Sequence, residues 1–326
     1  MDDGMSKKLR VSFAGIEFEN PITTASGTFG SGMEYSEFVD IERLGAVTTK
    51  GVADKPWKGN PTPRIAETDA GMLNAIGLQN PGIDTFIERD LAFLKAKGAR
   101  VIVNVCGHSE EEYINVVKRL AMEDVSKAVD MLEINISCPN VKEGGIAFGQ
   151  KPSMAERITK EVKKVAAQPV IMKLSPNVTD ITEMAKAVEA GGADGVSLIN
   201  TLTGMKIDVY KKRFALANQT GGMSGPAVHP IAVRMVYQVA HAVKLPIIGM
   251  GGVASTEDAL EMMMAGATMV AVGTANFYRP GITTEIIDGL EAYATRESLN
   301  SITDIIACVE APRGSNRTNS SDQASS

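Results

Sequence analysis

The chain has 326 residues, of which 44% are hydrophobic, 22% charged and only 5% aromatic, which is typical of a globular protein with an aliphatic core. Its formal net charge of −6 argues against a general nucleic-acid surface, which needs a basic stripe, but still allows a local basic pocket. No window approaches the roughly 18 uninterrupted apolar residues of a membrane span, so none is predicted.

The start of the chain and its cysteines indicate a reducing compartment. The first ten residues are charged and lack the apolar stretch of a secretory signal. Cys106, Cys138 and Cys308 form no C-x-x-C pair and no metal-binding spacing, and the three histidines form no helical metal-binding pair. We therefore expect a cytoplasmic chain without disulfides, and a metalloenzyme is disfavoured.

Short β-branched runs alternate with longer helical patterns along the chain. A small hairpin is predicted over residues 11–18, turning at Ala14 and Gly15, and could plug the bottom of a barrel. Eight strands follow, at residues 21–26, 46–51, 101–107, 131–137, 170–175, 195–201, 246–252 and 269–276. Most are nearly continuous apolar runs, as expected for parallel strands buried on both faces.

Helical patterns lie between these strands, at residues 109–122, 153–167, 179–190, 230–243 and 256–265. Ser109 and Ser255 precede acidic residues, which suits capped helix starts. The alternation predicts an α/β fold, a (β/α)8 TIM barrel in a single domain over residues 1–310, with an open doubly wound sheet as the main alternative.

Two connections are too long for simple turns, and the end of the chain is polar. Residues 52–100 and 202–228 are long excursions, which we expect to carry function or to cover a site on the carboxyl-terminal face of the barrel. Residues 311–326 are almost without apolar content, so a disordered tail is expected there.

Polar side chains gather near the carboxyl ends of the predicted strands, where the active site of such a barrel lies. They are Ser26, Lys50, Asn104, Asn135, Ser137, Lys173, Asn200 and Thr201. Asparagine is depleted in strands because its amide competes with the ladder, so three of them together favour a ligand site over structural amides. A lysine in a packed strand needs a compensating charge, either from an anionic ligand or from a core carboxylate, for which Glu133 is the visible candidate.

Glycine clusters follow the last two predicted strands, at residues 249–252 and at Gly273, and a third occupies residues 221–225. Loops at these places in a barrel commonly bind phosphate, because bare backbone can approach its oxygens. Residues 249–254 also fit the loose dinucleotide fingerprint, but no acidic residue ends the next strand. The pattern therefore indicates a mononucleotide phosphate site rather than NAD binding.

Cys138 directly follows the fourth predicted strand, and Pro139 biases it toward an extended backbone at the strand mouth. A thiol has an ordinary pKa of about 8.5, so a modest lowering makes it a usable base near neutral pH. We predict a functional role for Cys138, whereas Cys106 and Cys308 are interpreted as small buried apolar residues.

Three ordered motifs carry a resemblance to a known family. Residues 74–82 are NAIGLQNPG, residues 135–140 are NISCPN and residues 221–226 are GGMSGP. With them the chain, from about residue 9 to residue 293, resembles class 1 dihydroorotate dehydrogenases. The sequences SGPA at residues 224–227 and PWKGNP at residues 56–61 resemble the class 1B subgroup rather than the fumarate-using class 1A.

The resemblance implies oxidation of dihydroorotate to orotate in pyrimidine synthesis, with FMN lying across the barrel mouth and Cys138 as the base beside Lys50. It implies FMN contacts from Ser26, Lys50, Gly51, Asn104, Asn135, Lys173, Ile199, Gly225, Gly251, Gly252, Gly273 and Thr274. It implies substrate contacts from Lys50, Asn74, Ala75, Ile76, Gly77, Leu78, Asn135, Asn200 and Thr201. Residues 141–149 would form a lid.

The same resemblance implies a partner. Class 1B catalytic subunits form a homodimer core in a heterotetramer, whose second subunit carries FAD and a 2Fe-2S cluster and passes electrons to NAD+. This chain has no four-cysteine set for such a cluster and would need that partner.

Other functions stay open. A barrel aldolase could use Lys173 or Lys50 as a Schiff base, but it leaves the asparagines and Cys138 unused. A flavoprotein similar to dihydropyrimidine dehydrogenase shares the flavin domain but acts on uracil, and a class 1A type enzyme would use fumarate. An inert binding barrel is least favoured, because no motif residue is missing.

Overall fold

The computed structural model describes residues 7–137 and 148–309. Their strands, in chain order, are β1 Val11–Phe13, β2 Ile16–Phe18, β3 Ile22–Thr24, β4 Val47–Thr48, β5 Ile65–Thr68, β6 Gly71–Asn74, β7 Val101–Val105, β8 Met131–Asn135, β9 Val170–Lys173, β10 Gly195–Leu198, β11 Leu202–Met205, β12 Ile207–Asp208, β13 Arg213–Phe214, β14 Thr220–Ser224, β15 Ile247–Met250 and β16 Met269–Val272. Their α-helices are α1 Ile83–Thr85, α2 Ala92–Ala96, α3 Glu110–Leu120, α4 Glu123–Ser126, α5 Pro152–Val165, α6 Ile181–Ala190, α7 His229–Ala240, α8 Thr256–Ala265 and α9 Ile282–Arg296. A π-helical turn, Phe86–Leu91, joins α1 to α2.

Eight parallel strands form the central sheet, in the order β3-β16-β15-β10-β9-β8-β7-β4. Its two edge strands meet, because Ala46 N donates to Ile22 O and the hydroxyls of Thr23 and Thr48 lie 3.0 Å apart. The sheet therefore closes into the predicted (β/α)8 barrel, and the open doubly wound sheet is excluded. Strands such as β15 and β16 are buried along their whole length, which explains their continuous apolar runs.

The predicted helices are present, with ends shifted by a few residues. The Ser109 side chain accepts a hydrogen bond from Glu112 N at the start of α3, and Ser255 accepts one from Asp258 N at the start of α8. Both predicted caps are confirmed, since each satisfies an amide that the helix leaves free. Helix α9 is absent from the prediction, although its buried residues recur at helical spacing.

The amino-terminal hairpin closes the bottom of the barrel. Strands β1 and β2 pair around Ala14 and Gly15, whose φ angles of 50° and 81° fit a two-residue turn. Phe13 is fully buried, and a Cβ added to Gly195 at the start of β10 would lie 2.7 Å from its ring. The predicted hairpin and its position are confirmed, and the carboxyl ends of the strands are left for a site.

The two long connections meet over those carboxyl ends. The first contributes β5 and β6 and the second β11 and β14, and they form one antiparallel sheet in the order β11-β14-β6-β5. Strands β12 and β13 pair separately as a small hairpin. The expectation that both excursions cover a site is therefore confirmed, but the sheet that they build is not predicted.

Other expectations meet the structure only in part. Cys106 is buried as predicted, whereas Cys308 is exposed, so the interpretation of Cys308 as a buried apolar residue is wrong. The cause is its place at residue 308, after Ile305, which is the last buried residue within the described ranges. The predicted tail and most of the proposed lid lie outside the described residues. None of the helices in the described ranges could cross a membrane.

Candidate active site

A cavity of about 1920 Å³ opens at the carboxyl ends of the barrel strands. It exceeds the roughly 300–1,000 Å³ of an ordinary small-molecule pocket, so it has room for two ring systems. The predicted site residues that line it are Ser26, Lys50, Asn74, Ala75, Ile76, Gly77, Leu78, Asn135, Lys173, Ile199, Asn200, Thr201, Gly251, Gly252, Gly273 and Thr274.

Three predicted residues within the described ranges are not part of that wall. Gly51 follows the lining residue Lys50, Gly225 packs against the lining residue Gly71, and Asn104 Oδ1 lies beside Gly51. Cys138 lies outside the described residues, and its neighbour Ser137 lines the cavity.

The glycine loops stand across the mouth from Asn135. Gly251 and Gly252 follow β15, and Gly273 follows β16, whereas Asn135 ends β8. In the sheet order, β16 is four positions away from β8, which is half of an eight-stranded ring, and β15 is three positions away. A ligand that contacts both groups must therefore span the barrel mouth.

The glycine loops pack so closely that side chains are excluded from them. Gly225 and Gly252 have φ angles of +102° and +73°, and a Cβ on Gly252 would lie 2.8 Å from Gly225 O. Thr274 Oγ1 donates to Ser224 Oγ at 2.8 Å, which joins the loop after β16 to the end of β14. Bare backbone facing a cavity in this way can approach the oxygens of a phosphate. We call these glycine loops the glycine cradle.

His229 supports this cradle, and the sequence analysis missed it. Its ring is nearly buried, with Nδ1 2.8 Å from Gly251 O and Nε2 3.0 Å from Glu261 Oε2. The histidine thus ties the loop after β15 to helix α8. Its only signal in the sequence is its place four residues after Gly225, which does not by itself predict the contact.

The strand-end amides form an oriented network. Asn135 Oδ1 accepts from Ser137 N at 3.2 Å and from Asn200 Nδ2 at 3.4 Å, while Asn200 Oδ1 accepts from Thr201 N at 2.8 Å. The Tyr113 hydroxyl donates to Asn135 O at 2.6 Å from behind the wall. Hydrogen bonds of this kind hold the polar atoms in fixed directions before any ligand arrives.

The segment from Asn74 to Leu78 is also held in place. Asn60 donates to Ile76 O from its backbone and to Ala75 O from its side chain, both at 3.0 Å. Gly77 has a φ of +74° and packs against Asn60, where a Cβ would come within 2.7 Å. Hydrogen bonds and close packing therefore fix this segment in the wall of the cavity.

Two lysines bring positive charge to the cavity. Lys173 is nearly buried, and its Nζ lies 3.4 Å from Glu133 Oε2, so the core carboxylate considered from the sequence is its partner. Burial lowers the pKa of Lys50; Cys106 raises it, and the positive charges of Arg64 and Lys173 lower it further. An anion bound beside Lys50 would therefore stabilise its ammonium form.

Aromatic side chains that the sequence analysis did not single out stand at the edge of the cavity. The rings of Trp57 and His108 are stacked with their centroids 3.9 Å apart, and both residues line the cavity. Trp57 belongs to the PWKGNP motif, so its place in the wall gives that motif a structural role.

Comparisons with known proteins agree with this geometry. A sequence profile of the dihydroorotate dehydrogenase family matches residues 8–293. The chain is 69% identical over 300 residues to the dihydroorotate dehydrogenase B (NAD(+)) catalytic subunit of Lachnoclostridium phytofermentans, which covers 92% of this chain and 99% of that protein. Its identity to the proteins of the same name is 59% in Alkaliphilus metalliredigens (91% and 97% covered) and 55% in Geobacter sulfurreducens (93% and 98% covered). The chain therefore belongs to the dihydroorotate dehydrogenase family, in its class 1B.

Proposed function

We propose that this chain oxidises (S)-dihydroorotate to orotate with FMN as the hydride acceptor, in the synthesis of UMP in the cytoplasm. The observation that carries the proposal is one cavity that joins a glycine backbone cradle, two lysines and an oriented amide network. The printed names of the similar proteins support the same substrate and reaction class.

The residues present fit FMN. Gly225, Gly251, Gly252, Gly273 and Thr274 would hold the phosphate, and Ser26, Asn135, Lys173 and Ile199 would contact the ring system. Asn104 Oδ1 is buried and has no hydrogen-bond partner among the described residues, which is costly unless a ligand supplies a donor. FMN, when bound, supplies a hydride acceptor that no amino-acid side chain can replace.

The opposite side of the cavity suits the substrate. The Lys50 ammonium would pair with the substrate carboxylate, and Asn74, Asn135 and Asn200 offer amide donors and acceptors to the ring imide. Because hydrogen bonds already orient these amides, little freedom has to be lost when the ring is aligned for reaction.

Proton removal is assigned to Cys138. Its thiolate would take the proton from C5 while the hydride leaves C6, and exclusion of water from the cavity would favour this step. Cys138→Ala should keep FMN but lose most dihydroorotate oxidation, as measured in single-turnover reduction. Turnover near that of the unchanged chain would remove Cys138 as the base.

Electrons would leave through a second subunit carrying FAD and a 2Fe-2S cluster, bound to a homodimer core of this chain. The printed words "NAD(+)" and "catalytic subunit" in the relatives' names support such a partner. The isolated chain should therefore reduce dyes readily but NAD+ scarcely, and rapid NAD+ reduction by this chain alone would overturn the partner.

A visible absorption spectrum, recorded before and after anaerobic addition of dihydroorotate, tests the central proposal. We expect a flavin spectrum that bleaches with dihydroorotate and not with dihydrouracil. Bleaching by dihydrouracil alone would favour the dihydropyrimidine dehydrogenase alternative. A colourless protein whose lysine is trapped by borohydride would favour the aldolase.

A further inference from the structure

We infer that Glu133 is a positioning residue, which sets how Asn104 and Lys173 meet the bound flavin; this inference rests on the proposed function. Glu133 lies in β8, two residues before Asn135, and only 1% of its surface is exposed. None of the roles assigned above uses this carboxylate, although a buried acid inside a barrel needs partners to be tolerated.

Three neighbouring strands supply those partners. Glu133 Oε2 accepts from Asn104 Nδ2 at 2.5 Å and from Lys173 Nζ at 3.4 Å, while Oε1 accepts from Ser197 Oγ at 2.7 Å. The donors come from β7, β9 and β10, and the strand register places Asn104 directly beside Glu133. In the part of the chain that the structure describes, the hydrogen-bond partners of this carboxyl group are these three donors, which suit its ionised form, because a carboxylate only accepts.

The contact with Asn104 fixes the direction of that amide. Because Nδ2 is held by Glu133, Oδ1 is turned the other way, toward Gly51, where a Cβ would lie 3.0 Å from it. This oxygen is the buried acceptor that has no partner among the described residues. The ring of FMN carries an N–H group on its pyrimidine edge, so an acceptor and not a donor is what Asn104 should present.

The contact with Lys173 balances a buried charge. Glu133 lies on the core side of the ammonium, which lines the cavity, and the 3.4 Å separation is long for a charge-assisted bond. The ammonium therefore keeps N–H groups for the ligand. A reduced flavin is anionic, so Lys173 favours reduction and the nearby Glu133 carboxylate opposes it. The pair should hold the flavin potential below the value that Lys173 alone would set.

Glu133→Gln separates these effects from ordinary packing, because it keeps the shape and removes the charge. The new side chain can turn its oxygen to Asn104 and Lys173 and its NH2 group to the Ser197 hydroxyl, which then accepts instead of donating. Asn104 is then held by a neutral hydrogen bond in place of a charge-assisted one, so the dissociation constant for FMN should rise about threefold to tenfold. The flavin midpoint potential should become more positive.

Two further variants serve as controls. Ser197→Ala removes one donor to Oε1 but keeps the charge and the Asn104 contact, so FMN affinity should change less than about threefold and the potential should not move. Glu133→Asp keeps the charge but shortens its reach, so FMN binding should weaken while the potential stays near that of the unchanged chain. If Glu133→Gln fails to fold in a urea-unfolding control, FMN binding by Glu133→Asp tests the inference instead.

The readouts are FMN fluorescence titration of the apoprotein and dye-equilibrated potentials of the reloaded protein. Weaker binding in both Glu133 variants, with a positive shift of potential only in Glu133→Gln, supports the inference. Unchanged FMN affinity in both variants, or a potential that moves in the negative direction, overturns it and leaves the proposed function standing. Failure of the unchanged chain to bind FMN overturns both.

Discussion

Replacing Gly252 by alanine tests whether the glycine cradle is constrained by its packing and holds a ligand. The residue has a φ of +73°, a conformation that costs an L-residue about 1–2 kcal/mol. The added Cβ would lie 2.8 Å from Gly225 O and 2.9 Å from His229 N, which are backbone atoms that cannot rotate away. Overpacking of this kind costs about 1–3 kcal/mol, so the free energy of unfolding should fall by about 2–5 kcal/mol in total.

Gly192→Ala is the matched control. Gly192 has a φ of +89°, but a Cβ added there meets nothing within 4 Å. It should therefore show only the conformational cost, and the two variants should differ by about 1–3 kcal/mol in urea unfolding. In an FMN titration of the apoprotein, Gly252→Ala should bind about tenfold or more weakly, because the loop must move, whereas Gly192→Ala should bind like the unchanged chain.

Two results would refute this reasoning. Equal losses of stability in the two variants would mean that the close packing around Gly252 does not constrain the loop. A Gly252→Ala protein that is destabilised but binds FMN with full affinity would mean that this loop does not hold the phosphate.

Four other predictions follow from the site. Orotate binding should weaken as the pH rises through the lowered pKa of Lys50, and Lys50→Met should bind weakly at every pH in calorimetric titration. Lys50 binds its proton more tightly in the unfolded chain than in the folded one. The free energy of unfolding of the ligand-free protein should therefore rise as the pH rises from the lowered pKa to the ordinary pKa. At neutral pH, the free energy of unfolding of Lys50→Met should be higher by about 1.4 kcal/mol for each unit by which folding lowers the Lys50 pKa. His229→Ala frees Gly251 O and should weaken FMN binding about threefold to tenfold. Thermal unfolding of this variant, in which the neighbouring Asp258 is left unchanged, serves as the control for folding. Trp57 is the single tryptophan and lines the cavity, so orotate should change its fluorescence, and an unchanged emission would argue against binding beside it.

The sequence predicts the barrel well but does not predict the antiparallel sheet β11-β14-β6-β5 over its mouth. Both outcomes have a physical cause. Central strands such as β16 are buried on both faces and therefore consist of uninterrupted apolar residues. Strands β6 and β14 are only partly buried and are rich in glycine, which is unfavourable in strands, so no local pattern marks them. They form because two distant excursions pair across the barrel mouth, which is information that no single window of sequence contains.

The candidate site is likewise predictable from the sequence in some residues and not in others. Lysines and asparagines at strand ends are predictable, because those residue types are costly in a parallel strand and the barrel brings all strand ends together. The role of His229 is not, since it depends on a contact between the loop after β15 and the start of α7. The direction of the Asn104 amide is not predictable either, since it depends on the contact between Asn104 Nδ2 and Glu133 on the neighbouring strand.

The two lysines differ in the group that balances their positive charge, and this difference bears on substrate choice. Lys173 has a carboxylate partner inside the barrel, whereas the charged groups that shift the Lys50 pKa are a thiol and two further cations. Among the described residues Lys50 therefore has no acid to neutralise it, and a half-buried ammonium in that state gains most from an anionic ligand. Dihydroorotate carries a carboxylate that dihydrouracil lacks, so a neutral ring would leave the cost of Lys50 burial uncompensated. The chain should accordingly prefer the acid, and Lys50→Met should narrow the difference between the two substrates rather than lower the activity on both equally.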